Sequence, residues 1–127
     1  MAQYLAIIEH GYRGSVETQF ADVLYLVREL NRQLGGLDLM LRGLAVTYAV
    51  KGQVPKIQIG DRTLDTLPDP RDSLRTLIEE GVGVRVDQAD LYALGLTKDD
   101  GLLDGIEFVS WDDKALCWGN YRDVWFL

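Results

Sequence analysis

The stretch Gly81–Leu96, "GVGVRVDQADLYALGL", decides how this chain is read. It opens with a short run of alternating valines, delivers Asp87 at its end, and passes at once into a small helical segment. A short apolar run bounded by glycine suits a strand covered on both faces, as in the centre of a parallel sheet. A strand followed directly by a helix is half of a βαβ unit. Open sheets of that kind place their chemistry beyond the carboxyl ends of the strands. Asp87 therefore stands where function is expected, or it caps the helix of residues 88–94, since aspartate is a preferred N-cap.

Outward from this stretch the same alternation recurs. "QYLAIIE" (3–9) reads as a first strand closed by "HGYRG". Ser15 then caps a helix running to about Leu34, with Phe20, Val23, Leu24, Val27, Leu30 and Leu34 on one face. Gly35 and Gly36 end it. "LDLML" (37–41) is the second strand. Residues 44–52 fit either a short helix or an extended piece. Residues 53–69 hold all three prolines but one, which opens the next helix at Pro70 behind an Asp69 cap; they read as a long loop with one edge strand. Leu74, Leu77 and Ile78 form the buried stripe of that helix. "VGVRV" (82–86) is the third strand, "GIEFVS" (105–110) the fourth and "RDVWFL" (122–127) the fifth, with a short helix in "WDDKALCWGN" before the last. The expected fold is α/β: one domain over 1–127, a five-stranded, mostly parallel sheet with helices on both faces, in a flavodoxin-like three-layer sandwich. With strand order 2-1-3-4-5, its crevice would lie between strands one and three.

Composition narrows the function. The 127 residues carry 20 acidic and 13 basic side chains, a net charge of −7, which repels phosphate backbones and argues against nucleic acid. One cysteine, Cys117, and one histidine, His10, exclude an internal disulfide and an all-protein zinc centre. The lone cysteine suits the cytoplasm. No apolar run reaches the ~20 residues of a membrane span, and the first residues lack the basic start of a signal peptide.

The residues leaving the strands are the candidates. His10 could act as acid or base, or be a hydrogen-bonded structural residue. Gly11, Tyr12, Arg13 and Ser15 form a strand-to-helix turn whose N–H groups and arginine could hold an anion; the plainer reading is a turn that needs glycine. Arg42 leaves the second strand beside them. Asp87 could pair with His10 across the crevice. Cys117 falls late in a short helix, where the helix dipole works against a reactive thiolate, and it reads equally as a small buried hydrophobe. Trp111, Trp118, Tyr121 and Trp125 crowd the C-terminal third and suit a subunit interface or the core.

"VRVDQADLYALGLTKDD", approached by "LRTLIEEGVG", resembles the key segment of the DsrE/DsrF/DsrH superfamily, which includes the TusB, TusC and TusD sulfur-relay subunits. The resemblance implies that Asp87 occupies the position at which the DsrE and TusD branch holds its persulfide-carrying cysteine. Aspartate there resembles the DsrF and TusC branch. "CWGNYRDVWFL" is similar to the Trp-containing last strand of the DsrH and TusB branch, while "HGYRGSVETQF" departs from the branch patterns. The resemblance implies a cytoplasmic homo- or hetero-oligomer of DsrE-family subunits, a trimer or hexamer, in sulfur transfer, without a cofactor. It implies an accessory rather than catalytic chain. The alternative is a small-molecule or anion-binding protein, or a small enzyme, using the crevice around His10, Arg13 and Asp87.

Overall fold

The computed structural model describes residues 2–12, 22–52, 56–64, 69–99, 101–110 and 118–127. Five strands form one parallel sheet: β1 (Tyr4–Ile8), β2 (Asp38–Leu41), β5 (Gly83–Asp87), β6 (Glu107–Val109) and β7 (Asp123–Phe126). A separate antiparallel hairpin pairs β3 (Ile57–Ile59) with β4 (Arg62–Leu64). The sheet order is β6-β5-β2-β1-β7. This corrects the expected 2-1-3-4-5 order. The chain steps from β1 through β2 and β5 to β6 in one direction, then returns to the far side of β1. The reversal therefore falls between β1 and β7, and β2 separates β1 from β5.

That path explains the layers. Successive right-handed crossovers in one direction put their helices on one face. Helix α1 (Val23–Leu34), the 3-10 turn Gly43–Ala49, α2 (Pro70–Glu79) and α3 (Gln88–Ala93) all contribute to one apolar cluster. Alternate strand residues meet it: Ala6, Ile8, Leu39, Leu41, Val84 and Val86. The opposite alternation, Leu5, Ile7 and Met40, packs with Val109 and Tyr121 on the other face. A period of two divides each buried strand between two cores.

Local chemistry fixes the ends. Asp22 accepts from the Tyr25 N–H at 3.1 Å and begins α1 there, later in the chain than Ser15; Gly35, at φ 75°, ends it. Ser15 and Arg13 lie outside the described residues. Asp69 caps α2 through the Arg71 N–H, with Pro70 in its first turn, as the sequence predicts. Residues 44–52 resolve the helix-or-strand choice as the 3-10 turn followed by extended chain. The 53–69 stretch contains a hairpin in place of one edge strand. No helix among the described residues is long and apolar enough to cross a membrane.

Candidate functional site at the carboxyl ends of the strands

Three consecutive sheet neighbours, β1, β2 and β5, each deliver a charged side chain at the same end. Glu9 follows β1, Arg42 follows β2, and Asp87 closes β5. Because β2 lies in the middle, Arg42 sits between two carboxylates. Its NH1 is 3.5 Å from Glu9 Oε1, and its Nε is 3.8 Å from Asp87 Oδ2. The Arg42 backbone is fixed by its N–H donating to the Ile8 carbonyl at 2.9 Å. Its guanidinium carbon stands 5.8 Å from the ring centre of Trp118, a cation–π distance. Trp118 in turn meets Phe126 edge to face, with ring centres 5.5 Å apart.

Asp87 is 2% exposed, a buried carboxylate with defined work. Oδ1 accepts from the Asp90 N–H at 3.1 Å and so caps α3, as one reading of the sequence expects. Asp90 reaches back to accept from the Gly43 N–H at 2.7 Å, tying α3 to the turn after β2. Gly43 has φ 55°, and a Cβ there would lie 3.1 Å from the Glu9 carbonyl oxygen. Only glycine lets the three strand ends close on one another.

The other expected residues fall as follows. His10 is exposed, and the strand order puts β2 between it and Asp87, so the two do not face each other across a crevice. Gly11 lies close under Leu44, whose Cβ would be 3.2 Å from an added Cβ. Tyr12 packs against the helix-side core. Trp118 is at the site and half exposed. Trp125 stacks on Tyr4 with ring centres 5.4 Å apart. Tyr121 is 6% exposed within the single chain. Trp111 and Cys117 lie outside the described residues.

Sequence reading passed over a second polar cluster. Asp38 and Arg85 lie inside strands read as simply apolar, and they meet on the face opposite the helices. Tyr121 donates to Asp38 Oδ2 at 2.8 Å, and Arg85 NH1 donates to the Tyr121 oxygen at 2.7 Å. Arg85 NH1 is also 3.4 Å from Asp38, and its Nε is 3.3 Å from Glu107. Burial and the adjacent Asp38 carboxylate push the Tyr121 phenol above its ordinary range. Burial works against the charge on Arg85, but Tyr121, Asp38 and Glu107 outweigh it and raise the guanidinium further. Gly83 makes room, since a Cβ there would stand 2.7 Å from Asp38 Oδ1. The signal was present in the sequence: single charges of opposite sign in neighbouring buried strands.

Among the described residues no cluster of histidine, cysteine and carboxylates suits a metal ion. Two open, shallow clefts, of ≈ 200 Å³ beside Tyr25, Arg28 and Asp72 and of ≈ 230 Å³ beside Lys51, Arg75 and Glu79, lie away from Arg42 and Asp87. The chemistry available at the strand ends is thus an arginine held by carboxylates under an aromatic edge.

Comparison with solved structures gives the fold its relatives. The chain is similar to the ychN protein from E. coli, with a TM-score of 0.76 and 22% identity over 100% of both chains. The fold is DsrE-like. It is also similar to MTH1491, a protein of unknown function from Methanobacterium thermoautotrophicum, with a TM-score of 0.58 and 17% identity over 86% of this chain and 82% of the other. No family model matches the sequence, and no curated protein matches it. The DsrE-like fold accounts for the five-stranded parallel sheet and its helices.

Proposed function

We propose that this chain is an accessory, non-carrier subunit of a sulfur-handling oligomer, working through contacts with other DsrE-like subunits. The observation that carries the reading is the state of Asp87. The resemblance assigns this position to a sulfur-carrying thiol in one branch, and here it is a buried carboxylate committed to a helix cap and to Arg42. A carboxylate cannot form a persulfide. Arg42 and the N-terminus of α3 would stabilise a thiolate at the same point; the electrostatic setting is kept while the nucleophile is replaced. The TusC-like branch, with aspartate at this position, is the one the reading favours.

The test is incubation with a low-molecular-weight persulfide donor beside a cysteine-bearing DsrE-like carrier, followed by intact-protein mass spectrometry. The carrier gains sulfur, and this chain gains none, at Cys117 or elsewhere. Added sulfur on Cys117 at the carrier's rate would overturn the assignment and make this chain a carrier through a different residue. Co-purification with the carrier is the positive expectation.

A second reading is favoured by Trp118 and Phe126, partly exposed beside Arg42: a small ligand bound at the strand ends. The charges there select against an anion, because Glu9 and Asp87 both face the one Arg42 guanidinium. A melting shift with a neutral or cationic aromatic ligand, and none with phosphate or thiosulfate, supports this second reading.

A further inference from the structure

Every second residue of a strand faces the same side of its sheet. Along β2 one such row is Asp38, Met40 and Arg42, the extended backbone continuing through Arg42. In β5 the corresponding row ends in Arg85 and Asp87. The Asp38–Arg85 cluster and the Arg42–Asp87 contact therefore share the sheet face opposite the helices. They are the two ends of one row, with Asp38 and Arg42 about 13 Å apart along β2 at the usual rise per residue.

One short piece of chain touches both ends. Trp118–Asn120 form a 3-10 turn, closed by the Tyr121 N–H donating to the Trp118 carbonyl at 3.1 Å. Residues three apart eclipse in such a turn, so Trp118 and Tyr121 project from one side of it. Tyr121 packs in the cluster of Leu5, Ile7, Met40 and Val109, and its hydroxyl sits between Asp38, at 2.8 Å, and Arg85, at 2.7 Å. Trp118 reaches the other end of the row, its ring centre 5.8 Å from the Arg42 guanidinium carbon. Just past the turn, the Arg122 N–H donates to the Gln3 carbonyl at 2.7 Å and starts β7 beside β1. The two aromatic residues are held unequally. Tyr121 is 6% exposed and bonded to two charged groups; Trp118 is 36% exposed and meets Phe126, which is itself exposed.

We propose that the Trp118–Tyr121 turn is a strap over the strand-end site, and that Tyr121 is the positioning residue that fastens it: the hydroxyl seated between Asp38 and Arg85 holds the Trp118 ring over Arg42. Cover at the carboxyl end of β2 is thus controlled from its amino end. With the strap fastened, a molecule or subunit arriving at the strand ends meets Trp118 and Phe126; with the strap lifted, it meets the Arg42 guanidinium and, against it, Asp87. This rests on the reading of the strand ends as the working surface of the chain, but not on sulfur chemistry.

Arginine modification by phenylglyoxal, followed residue by residue with peptide mass spectrometry, tests the strap on the intact chain. Arg62, exposed on the hairpin, serves as the internal reference. Trp118→Ala and Tyr121→Phe each raise the Arg42 rate relative to Arg62 at least ~10-fold, since either removes the cover or its fastening. The double variant reacts no faster than Trp118→Ala alone, because Tyr121 acts on Arg42 through Trp118; independent effects would multiply. Asp38→Ala removes the acceptor while leaving Tyr121 in place, and it raises the rate likewise, a second way to unfasten the strap should Tyr121→Phe not fold. Asp69→Ala removes the α2 cap and destabilises the chain elsewhere, and it leaves the Arg42 rate unchanged. An Arg42 rate unmoved by Tyr121→Phe and Asp38→Ala, factors that multiply in the double variant, or an Asp69→Ala chain that reproduces the effect would each overturn the proposal. The labelling involves neither a partner nor a persulfide. Sulfur found on this chain would sink the accessory role and leave the strap standing, and unmoved labelling would do the reverse.

Discussion

Replacing Tyr121 with phenylalanine removes one oxygen from the buried cluster on the far face of the sheet. The ring remains, and with it the packing on Leu5, Ile7, Met40 and Val109. What is lost is the 2.8 Å donation to Asp38 and the acceptor for Arg85 at 2.7 Å. Hydrogen bonds to charged groups contribute about 1.5–3 kcal/mol each. Arg85 still stands 3.4 Å from Asp38 and takes up part of the loss. The expected cost is about 2 kcal/mol, and for 127 residues at the usual unfolding entropy this lowers Tm by roughly 7 °C. The pH dependence gives an independent reading. Folding raises the Tyr121 pKa above its ordinary 10.0, so the folded chain holds this proton more tightly than the unfolded chain. The associated stability is complete below the ordinary value and is lost as pH rises through the folded one. The variant lacks this alkaline loss, and its denaturant midpoint declines less steeply as pH rises above the ordinary phenol value of 10.0. Urea unfolding of both proteins as a function of pH measures both quantities. A cost below about 0.5 kcal/mol, with identical alkaline limbs, would refute the account of this cluster.

Three further outcomes follow from the same geometry. Gly83→Ala places a Cβ on Asp38 Oδ1 and should destabilise by about 1–3 kcal/mol in thermal unfolding, while in an Asp38→Ala background the same substitution costs much less. Asp87→Ala removes the α3 cap and one of the carboxylates beside Arg42, costing about 1–2 kcal/mol by chemical denaturation; an unchanged midpoint would contradict the cap. Asp87→Cys restores a thiol beside Arg42 and at a helix start, and it should acquire sulfur from a persulfide donor at residue 87 in mass spectra; a thiol that stays unmodified while a free thiol control reacts would argue that this position is closed to transfer.

The sequence carried the alternation of strands and helices because the central strands β1, β2 and β5 are buried on both faces and each helix on one. Runs such as "LDLML" and the Asp69-Pro70 start are decided by local chemistry. Strand order is not. It depends on whether the crossover after β2 carries β5 to the free side of β1 or to the outer side of β2, and nothing in "VGVRV" records that choice. One consequence was the misplaced pairing of His10 with Asp87: with β2 between them, Arg42 is the residue that Asp87 meets. The hairpin was hidden for a related reason. Hydrophobic periodicity reports burial within the chain, and Ile57, Ile59 and Leu64 are not buried there.

Asp38 and Arg85 show how a charge in a strand should be weighed. Either one alone in a central strand is costly, since an unpaired buried charge is strongly disfavoured. Together, in neighbouring strands and one register step apart, with Met40 opposite Arg85 and Gly83 opposite Asp38, they fix the alignment of β2 against β5. A slip of one residue would turn Arg85 into the helix-side core and leave Asp38 without its partners. That register also sets Asp87 at the level of the turn beginning at Arg42. The cluster far from the strand ends thereby determines which side chains meet at them: polar specification on one face of the sheet holds the carboxylate–arginine contact at its end.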